Sequence, residues 1–306
     1  MTTTATRPAP ERSTGTPPDL SRGALSMRRR VVNHVAAGGI YLALVLAIIP
    51  LGLVMWTVLS RGAGVMSLDF LNSDIPNSYR REGPGMGPAI VGTLLITGMA
   101  SLMAIPLGVF GAIYLNEYGK QKPLARVIRL MADVMTGVPS IVMGLFIYIS
   151  WVLVVGKFSG FAGSLALACL MLPVVIRSSE EMLRLVPDEL RQASLALGAR
   201  KWRTILTVVL PAAISGITSG ALLAVARAAG ETAPIVIVTG IVFSTNTNLF
   251  DGSNTALPAQ IFRNASQPFI GAQDRAWGAA LTLIVIVVLF TIVSRIIANR
   301  FALKER

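Results

Sequence analysis

Arg227 and Glu231 are the two residues least expected of their surroundings. They stand four apart in Arg227-Ala-Ala-Gly-Glu231-Thr232-Ala233-Pro234, inside an apolar region running from about 205 to 243. A charged side chain at the centre of a membrane span costs about 2.5–3.5 kcal/mol, so such residues face a cavity or a partner. A separation of four puts both on one helix face. Gly230 and Pro234 weaken the helix there and free backbone groups to line a cavity. Two compatible roles fit this pattern: an ion pair that locks two helices, and the polar lining of a path through the membrane.

A second constellation is a polar island in a greasy chain, RSSEEMLRLVPDELRQASLALGARKWRTILTVVLP, from Arg177 to Pro211. It is too charged for lipid and too well patterned for a loose loop. Pro187, Asp188 and Glu189 suit the first turn of a helix, with Pro at the first helical position and acids at the positive end of the dipole. Leu183, Val186, Leu190, Ala193 and Leu197 recur at steps of three and four, which predicts one apolar stripe. Gly198 is a natural stop, and Arg200, Lys201 and Arg203 follow it. A short amphipathic helix between two spans needs something against its apolar face, either lipid headgroups or another protein.

The elements that must position these residues are membrane helices. Of 306 residues 53% are hydrophobic and 14% charged, against roughly 25% charged in soluble domains. Apolar runs of about 20 residues predict an all-α polytopic membrane protein. Six spans are expected, at about 35–59, 89–115, 127–155, 161–176, 205–243 and 277–298. The third is interrupted by Gly137, Pro139 and Gly144. The first is too long for the apolar region of a cleaved signal peptide. Residues 1–26 are rich in Thr, Pro, Arg and Ser, and 1–30 reads as a disordered cytoplasmic tail. The first span and an outer loop occupy 31–84, the main transmembrane domain 85–300, and a second cytoplasmic tail 301–306.

Lys and Arg in alternate loops set the orientation. Twenty lie on the side holding both termini and the polar island, six lie on the other, and Arg227 is within a span. Both termini and the island are therefore expected in the cytoplasm. The same spread of charge turns the net +12 into a topology signal and argues against nucleic acid. Cys169, the single cysteine, and His34, the single histidine, read as a small buried hydrophobe and a residue at the start of a span. No cluster has metal-ligand spacing, and no Walker-type phosphate loop is present. Asn264-Ala-Ser has the form of a glycosylation acceptor and is given no weight.

The island resembles the EAA loop of ABC importer permeases, with Gln192-Ala193-Ser194 at the E-A-A place, Gly198 at the expected offset and Val208-Val209-Leu210-Pro211 closing the motif. Gln192 departs from the usual Glu but keeps a hydrogen-bonding side chain. The Arg227–Pro234 segment is similar to the signature of PstA-type permease subunits of phosphate-specific importers. So are Ile105-Pro106-Leu107-Gly108, Ala112 through Tyr118 (AIYLNEY), Gly137-Val138-Pro139-Ser140 and Leu172-Pro173-Val174-Val175-Ile176-Arg177. The resemblance covers roughly residues 85–300. It implies the type I ABC importer permease fold, six transmembrane helices and a coupling helix at 187–203 that docks in an ATPase subunit. It also implies a plasma (inner) membrane location and no catalysis in this chain. ATP and Mg would be handled by two partner ATPase subunits, beside a second homologous permease and an extracytoplasmic phosphate-binding protein.

In that family the intramembrane Arg and Glu are implicated in phosphate translocation, which would put Arg227 and Glu231 on the path. Phosphate needs donors and positive charge that replace its water yet release it, and arginine offers planar bidentate contacts. Glu231 would hold Arg227 when the path is empty. Arg177, at the cytoplasmic end of the fourth span, reads first as a positive-inside anchor and is a further candidate for the path. The rival expectations are a permease for another oxyanion (sulfate, molybdate or phosphonate) and an intramembrane enzyme such as a headgroup transferase.

Overall fold

The computed structural model describes residues 27–301 apart from 82, 84 and 121. Most of the two expected tails lies outside the described residues. The chain divides into two compact units, one ending at Met55 and one beginning at Trp56. Helix α1 (Met27–Ala63) supplies the described part of the first. It starts earlier than the apolar run, taking in Arg28, Arg29, Arg30 and His34 as a basic first stretch.

The second unit is helical throughout its described regular structure. In order it has α2 (Leu68–Asn72), α3 (Gly87–Ile113), α4 (Pro123–Gly137), α5 (Ser140–Ile147), α6 (Gly160–Leu185), α7 (Asp188–Ala196), α8 (Lys201–Thr204), α9 (Leu210–Ala229), α10 (Ala233–Val238), α11 (Leu257–Ala265) and α12 (Ile270–Phe301). Three π turns, Tyr114–Tyr118, Tyr148–Val152 and Ile205–Val209, extend α3, extend α5 and join α8 to α9. Pro211 lacks the N–H that would bond back to Thr207, and the last π turn sits just before it.

Five helices among the described residues are long and apolar enough to cross a membrane: Met27–Ala63, Gly87–Tyr118, Gly160–Leu185, Lys201–Ala229 and Ile270–Val293. A sixth span results if Pro123–Gly137 and Ser140–Val155 are taken together, although they meet at 107°. The expected third span is thus sharply broken. Val138 precedes a proline and is extended (ψ 128°), as steric conflict with the proline ring requires. The 205–243 region is also broken: α9 ends at Ala229 and Pro234 restarts the chain as the short α10.

Small residues let the helices approach closely. A Cβ on Gly108 of α3 would lie 2.6 Å from Cγ1 of Val175 on α6, and one on Gly144 of α5 would lie 2.6 Å from the Pro234 Cα. The central core gathers Ile96, Ala100, Leu167, Met171, Val225 and Ile235 from four of these helices. Two expected loops contain helices. Ser67 caps α2 by accepting the Phe70 N–H at 3.0 Å, and Phe70 is fully buried. In the Asn- and Ser-rich 244–275 stretch, α11 buries Leu257, Ala259, Gln260 and Asn264. The Asn264 side chain donates to Gln260 Oε1 at 3.0 Å and is shut off from solvent, so the acceptor pattern there is inaccessible.

Candidate functional site

Two helix interruptions and the middle of α6 converge on one cavity of about 230 Å³. The α4–α5 bend contributes Thr136 and Ser140, the middle of α6 contributes Met171 and Val174, and the α9–α10 break contributes Arg227 and Glu231. The volume is many times the ~10–15 Å³ that one water needs. Arg227 lies in the last turn of α9 and Glu231 just past its end. The Gly230 and Glu231 N–H groups donate to the Arg227 and Ala228 carbonyls at 3.1 Å, a tighter closing turn than the α-helix. The pair therefore forms across a helix end, not along one regular face as the spacing predicts. Arg227 Nε is 3.8 Å from Glu231 Oε1, a loose ion pair without a hydrogen bond. The Arg227 side chain is 70% exposed and the Glu231 side chain 21%. A guanidinium so held keeps its donors free for an anion in the cavity.

Arg177 is not among the residues lining this cavity. Its Nη2 is 2.8 Å from Asp133 Oδ1 on α4 and its Nη1 3.6 Å from Glu180 Oε2 on α6. Glu180 is almost fully buried and also accepts from Arg129 Nε at 2.7 Å and Arg184 Nη2 at 2.6 Å. The sequence reading missed this acid and its arginines. The i,i+3 and i,i+4 spacing of Arg177, Glu180 and Arg184 was the available signal.

The polar island folds as two helices around a turn. Pro187 is the N-cap of α7, one place earlier than expected, because its ψ of 140° is extended. The 187–203 stretch is helical over 188–196, then turns at Gly198 in the left-handed region (φ 80°) and restarts at Lys201. The expected apolar stripe is divided. Leu183 and Val186 are buried at the end of α6, whereas Leu190, Ala193 and Leu197 face outward, with Leu197 90% exposed. The proline between them swings α7 off the axis of α6, so one numerical period serves two differently facing surfaces. Gln192 is exposed, Ser194 Oγ lies 2.9 Å from Thr204 Oγ1, and Pro211 is in the first turn of α9. The structure thus brings Gln192, Ala193, Ser194 and Gly198 together and sets Pro211 one turn beyond α8.

The architecture is that of ABC importer permeases. A permease of a bacterial alginate ABC transporter superposes with a TM-score of 0.61 at 13% identity, covering 89% of this chain and 96% of its own. The MetNI methionine ABC transporter superposes with a TM-score of 0.57 at 19% identity, covering 71% and 94%. Residues 104–306 match the family described as binding-protein-dependent transport system inner membrane component, and the chain belongs to that family as a PstA-type permease. It is 42% identical over 288 residues to phosphate transport system permease protein PstA 1 of Mycobacterium tuberculosis, covering 92% of this chain and 93% of that protein. PstA of Mycobacterium leprae is 44% identical over 282 residues (90% and 92%), and PstA of Yersinia pestis 39% over 287 (90% and 92%). The chain is accordingly a membrane-embedded transport component and not an enzyme.

Proposed function

We propose that this chain is the permease subunit of an ATP-driven phosphate importer and forms half of the translocation path. The observation that carries the reading is the loosely held Arg227 guanidinium, lining a cavity built from two helix interruptions and the middle of α6. The phosphate transport named for its relatives supports the choice of cargo. In this reading Arg227 takes the anion by charge-assisted hydrogen bonds. Glu231 competes for the same guanidinium, so the anion is held but can leave. Arg177 stands at the cytoplasmic end of the route as an ion-paired anchor.

The 187–203 region is the coupling segment. Leu190, Leu195 and Leu197 are exposed apolar groups on a charged loop, which suits a protein groove better than water. Gln192, Ala193 and Ser194 dock there, Gly198 makes the turn and Pro211 sets the return into the membrane. The partners are a second homologous permease, two ATPase subunits that hold ATP and Mg, an extracytoplasmic phosphate-binding protein and membrane lipid. The chain lies in the plasma membrane with both termini cytoplasmic, and 85–300 is its permease domain. The test is purification of the intact complex in lipid with ATPase measured against phosphate-loaded binding protein. Stimulation by phosphate and not by sulfate, molybdate or phosphonate is expected; equal stimulation by another oxyanion overturns the cargo assignment.

A further inference from the structure

Arg191 is an outlier on its helix. It sits in the middle of α7, whose other residues are mostly exposed, yet its own side chain is only 12% exposed. Every N–H of its guanidinium has an acceptor within the chain. Nε and Nη2 donate to Glu117 Oε1 at 3.2 and 3.0 Å, and Nη2 also donates to the Leu183 carbonyl at 2.8 Å. Nη1 donates to the Val186 carbonyl at 2.6 Å and to Asp188 Oδ1 at 3.0 Å. Leu183 and Val186 close α6, so their carbonyls belong to the set that a helix end leaves unpaired. Arg191 thus caps one membrane helix from a side chain on another element.

Glu117, the acid it grips, belongs to the π turn that ends the second span, and its side chain is 5% exposed. The same residue is held from a second direction. Lys201, the first residue of α8, donates from Nζ to the Glu117 carbonyl, and its ammonium lies 4.8 Å from the Tyr118 ring centre. Asn116 Nδ2 donates to Glu117 Oε1 at 2.8 Å. Two residues on either side of the Gly198 turn therefore converge on one residue 74 positions before Arg191.

We propose that Arg191, Glu117 and Lys201 form a strut that transmits displacement of the coupling segment to the ends of α3 and α6; this rests on the reading that the segment docks an ATPase subunit. Pro187 and Gly198 flank α7 with non-helical backbone. By chain connectivity alone, α7 could tilt while the membrane helices stayed still. The strut removes that freedom. To move, α7 must carry Glu117 and the Leu183 and Val186 carbonyls along, or strip a buried guanidinium of its acceptors, and stripping a buried charge is the costlier course. A π turn is a tolerant place to receive such a push, because its wide hydrogen-bond ring is already a departure from the helix. Arg191 and Glu117 are positioning residues in this scheme and do not touch the cargo.

The test uses the intact importer in proteoliposomes, reading phosphate uptake per ATP hydrolysed and the ATPase subunits retained on purification. Glu117→Gln keeps the backbone and the Arg191 bonds to Leu183 and Val186 and removes only the charge link. It is expected to lower uptake per ATP about tenfold, the factor for 1.4 kcal/mol, with subunits retained. Arg191→Lys is expected to keep more coupling than Arg191→Gln, and that advantage should vanish in a Glu117→Gln background, since coupled partners are not additive. Normal uptake per ATP in both Glu117→Gln and Arg191→Gln overturns the strut, as does loss of the ATPase subunits from Glu117→Gln. Gly198→Asp separates the two readings. If it detaches or uncouples the ATPase while the strut variants behave normally, the strut alone fails. If it too is normal, the docking reading fails and the strut with it.

Discussion

Replacing Arg227 by alanine should abolish most transport while costing little stability, and both halves follow from the geometry. Among the described residues the only charged partner of Arg227 is Glu231, at 3.8 Å with no hydrogen bond, and the arginine side chain is 70% exposed. Exposed pairs of this kind contribute about 0–1 kcal/mol. Arg227→Ala should therefore lower the thermal midpoint of the purified complex by a few degrees at most. Transport depends on a different quantity. A hydrogen bond to a charged group contributes about 1.5–3 kcal/mol, and at 1.4 kcal/mol per tenfold this is about a ten- to hundredfold loss of uptake. Lysine in place of Arg227 keeps the charge but loses the planar fork, so Arg227→Lys should fall between the two. The assay is radiolabelled phosphate uptake in cells lacking other phosphate importers, with the amount of assembled complex measured in parallel. Near-normal uptake by Arg227→Ala refutes the assignment of the cavity. Loss of uptake in step with loss of the complex refutes it equally, since the arginine would then be a helix lock.

Three further outcomes test other parts of the structure. Glu180→Ala leaves the partly exposed Arg129 and Arg184 without their shared buried acid and should destabilise the chain by about 1–3 kcal/mol; an unchanged thermal midpoint in detergent would count against the buried cluster. Gly144→Val drives a side chain into the Pro234 backbone and should cost about 1–3 kcal/mol by overpacking, with uptake reduced. Gly98→Ala, where an added Cβ meets nothing within 4 Å, is the control and should be neutral in both assays. At the exposed Lys157–Asp251 pair, the hydrogen bond and charge of Lys157 hold the Asp251 carboxyl below its usual range. A depressed carboxyl stabilises above its unfolded value of about 3.9 and loses that effect as pH falls through the lower folded value. Any difference between Lys157→Ala and the parent chain should thus be present at neutral pH, be small, and vanish in acid; a difference that grows on acidification contradicts the pairing.

The spans were legible because a bilayer imposes a length, and runs of that length stand out in any composition. The breaks were legible as breaks: Pro139 and Gly230 announce themselves. Their consequence was not. Pro139 marks the 107° bend but not where the bent segment packs, with Gly144 against Pro234, a contact between residues about ninety positions apart that no local pattern records. Polar composition hid α11, because its buried face includes Gln260 and Asn264, joined by the Asn264 Nδ2 donations to the Gln260 carbonyl and Oε1. The stripe from Leu183 to Leu197 misled in the opposite way. Its period runs smoothly through Pro187, but the helix does not, so a single sequence pattern became an inward face on α6 and an outward face on α7. Arg227 and Glu231 stood out by cost and by resemblance, whereas Glu117 and Arg191 lie in polar stretches of the sequence where charge is cheap and gives no warning.

That contrast bears on how the molecule divides its labour. Around the 187–203 segment, buried acids are gripped at 2.6–3.2 Å: Glu180 by Arg129 and Arg184, Glu117 by Arg191. At the cavity the corresponding pair is loose, at 3.8 Å, and borders a helix end. A device that converts a push into a change of access needs rigidity where the push arrives, or the displacement is lost in the loops. It needs the reverse at the binding point, since a guanidinium locked to its carboxylate at hydrogen-bond distance offers fewer donors and a neutralised charge, whereas a fully unpaired one holds its anion more tightly. The tight pairs and the loose pair are then two requirements of one mechanism. Tightening the second, by placing the glutamate where it reaches hydrogen-bond distance of Arg227, should impair transport as surely as loosening the first.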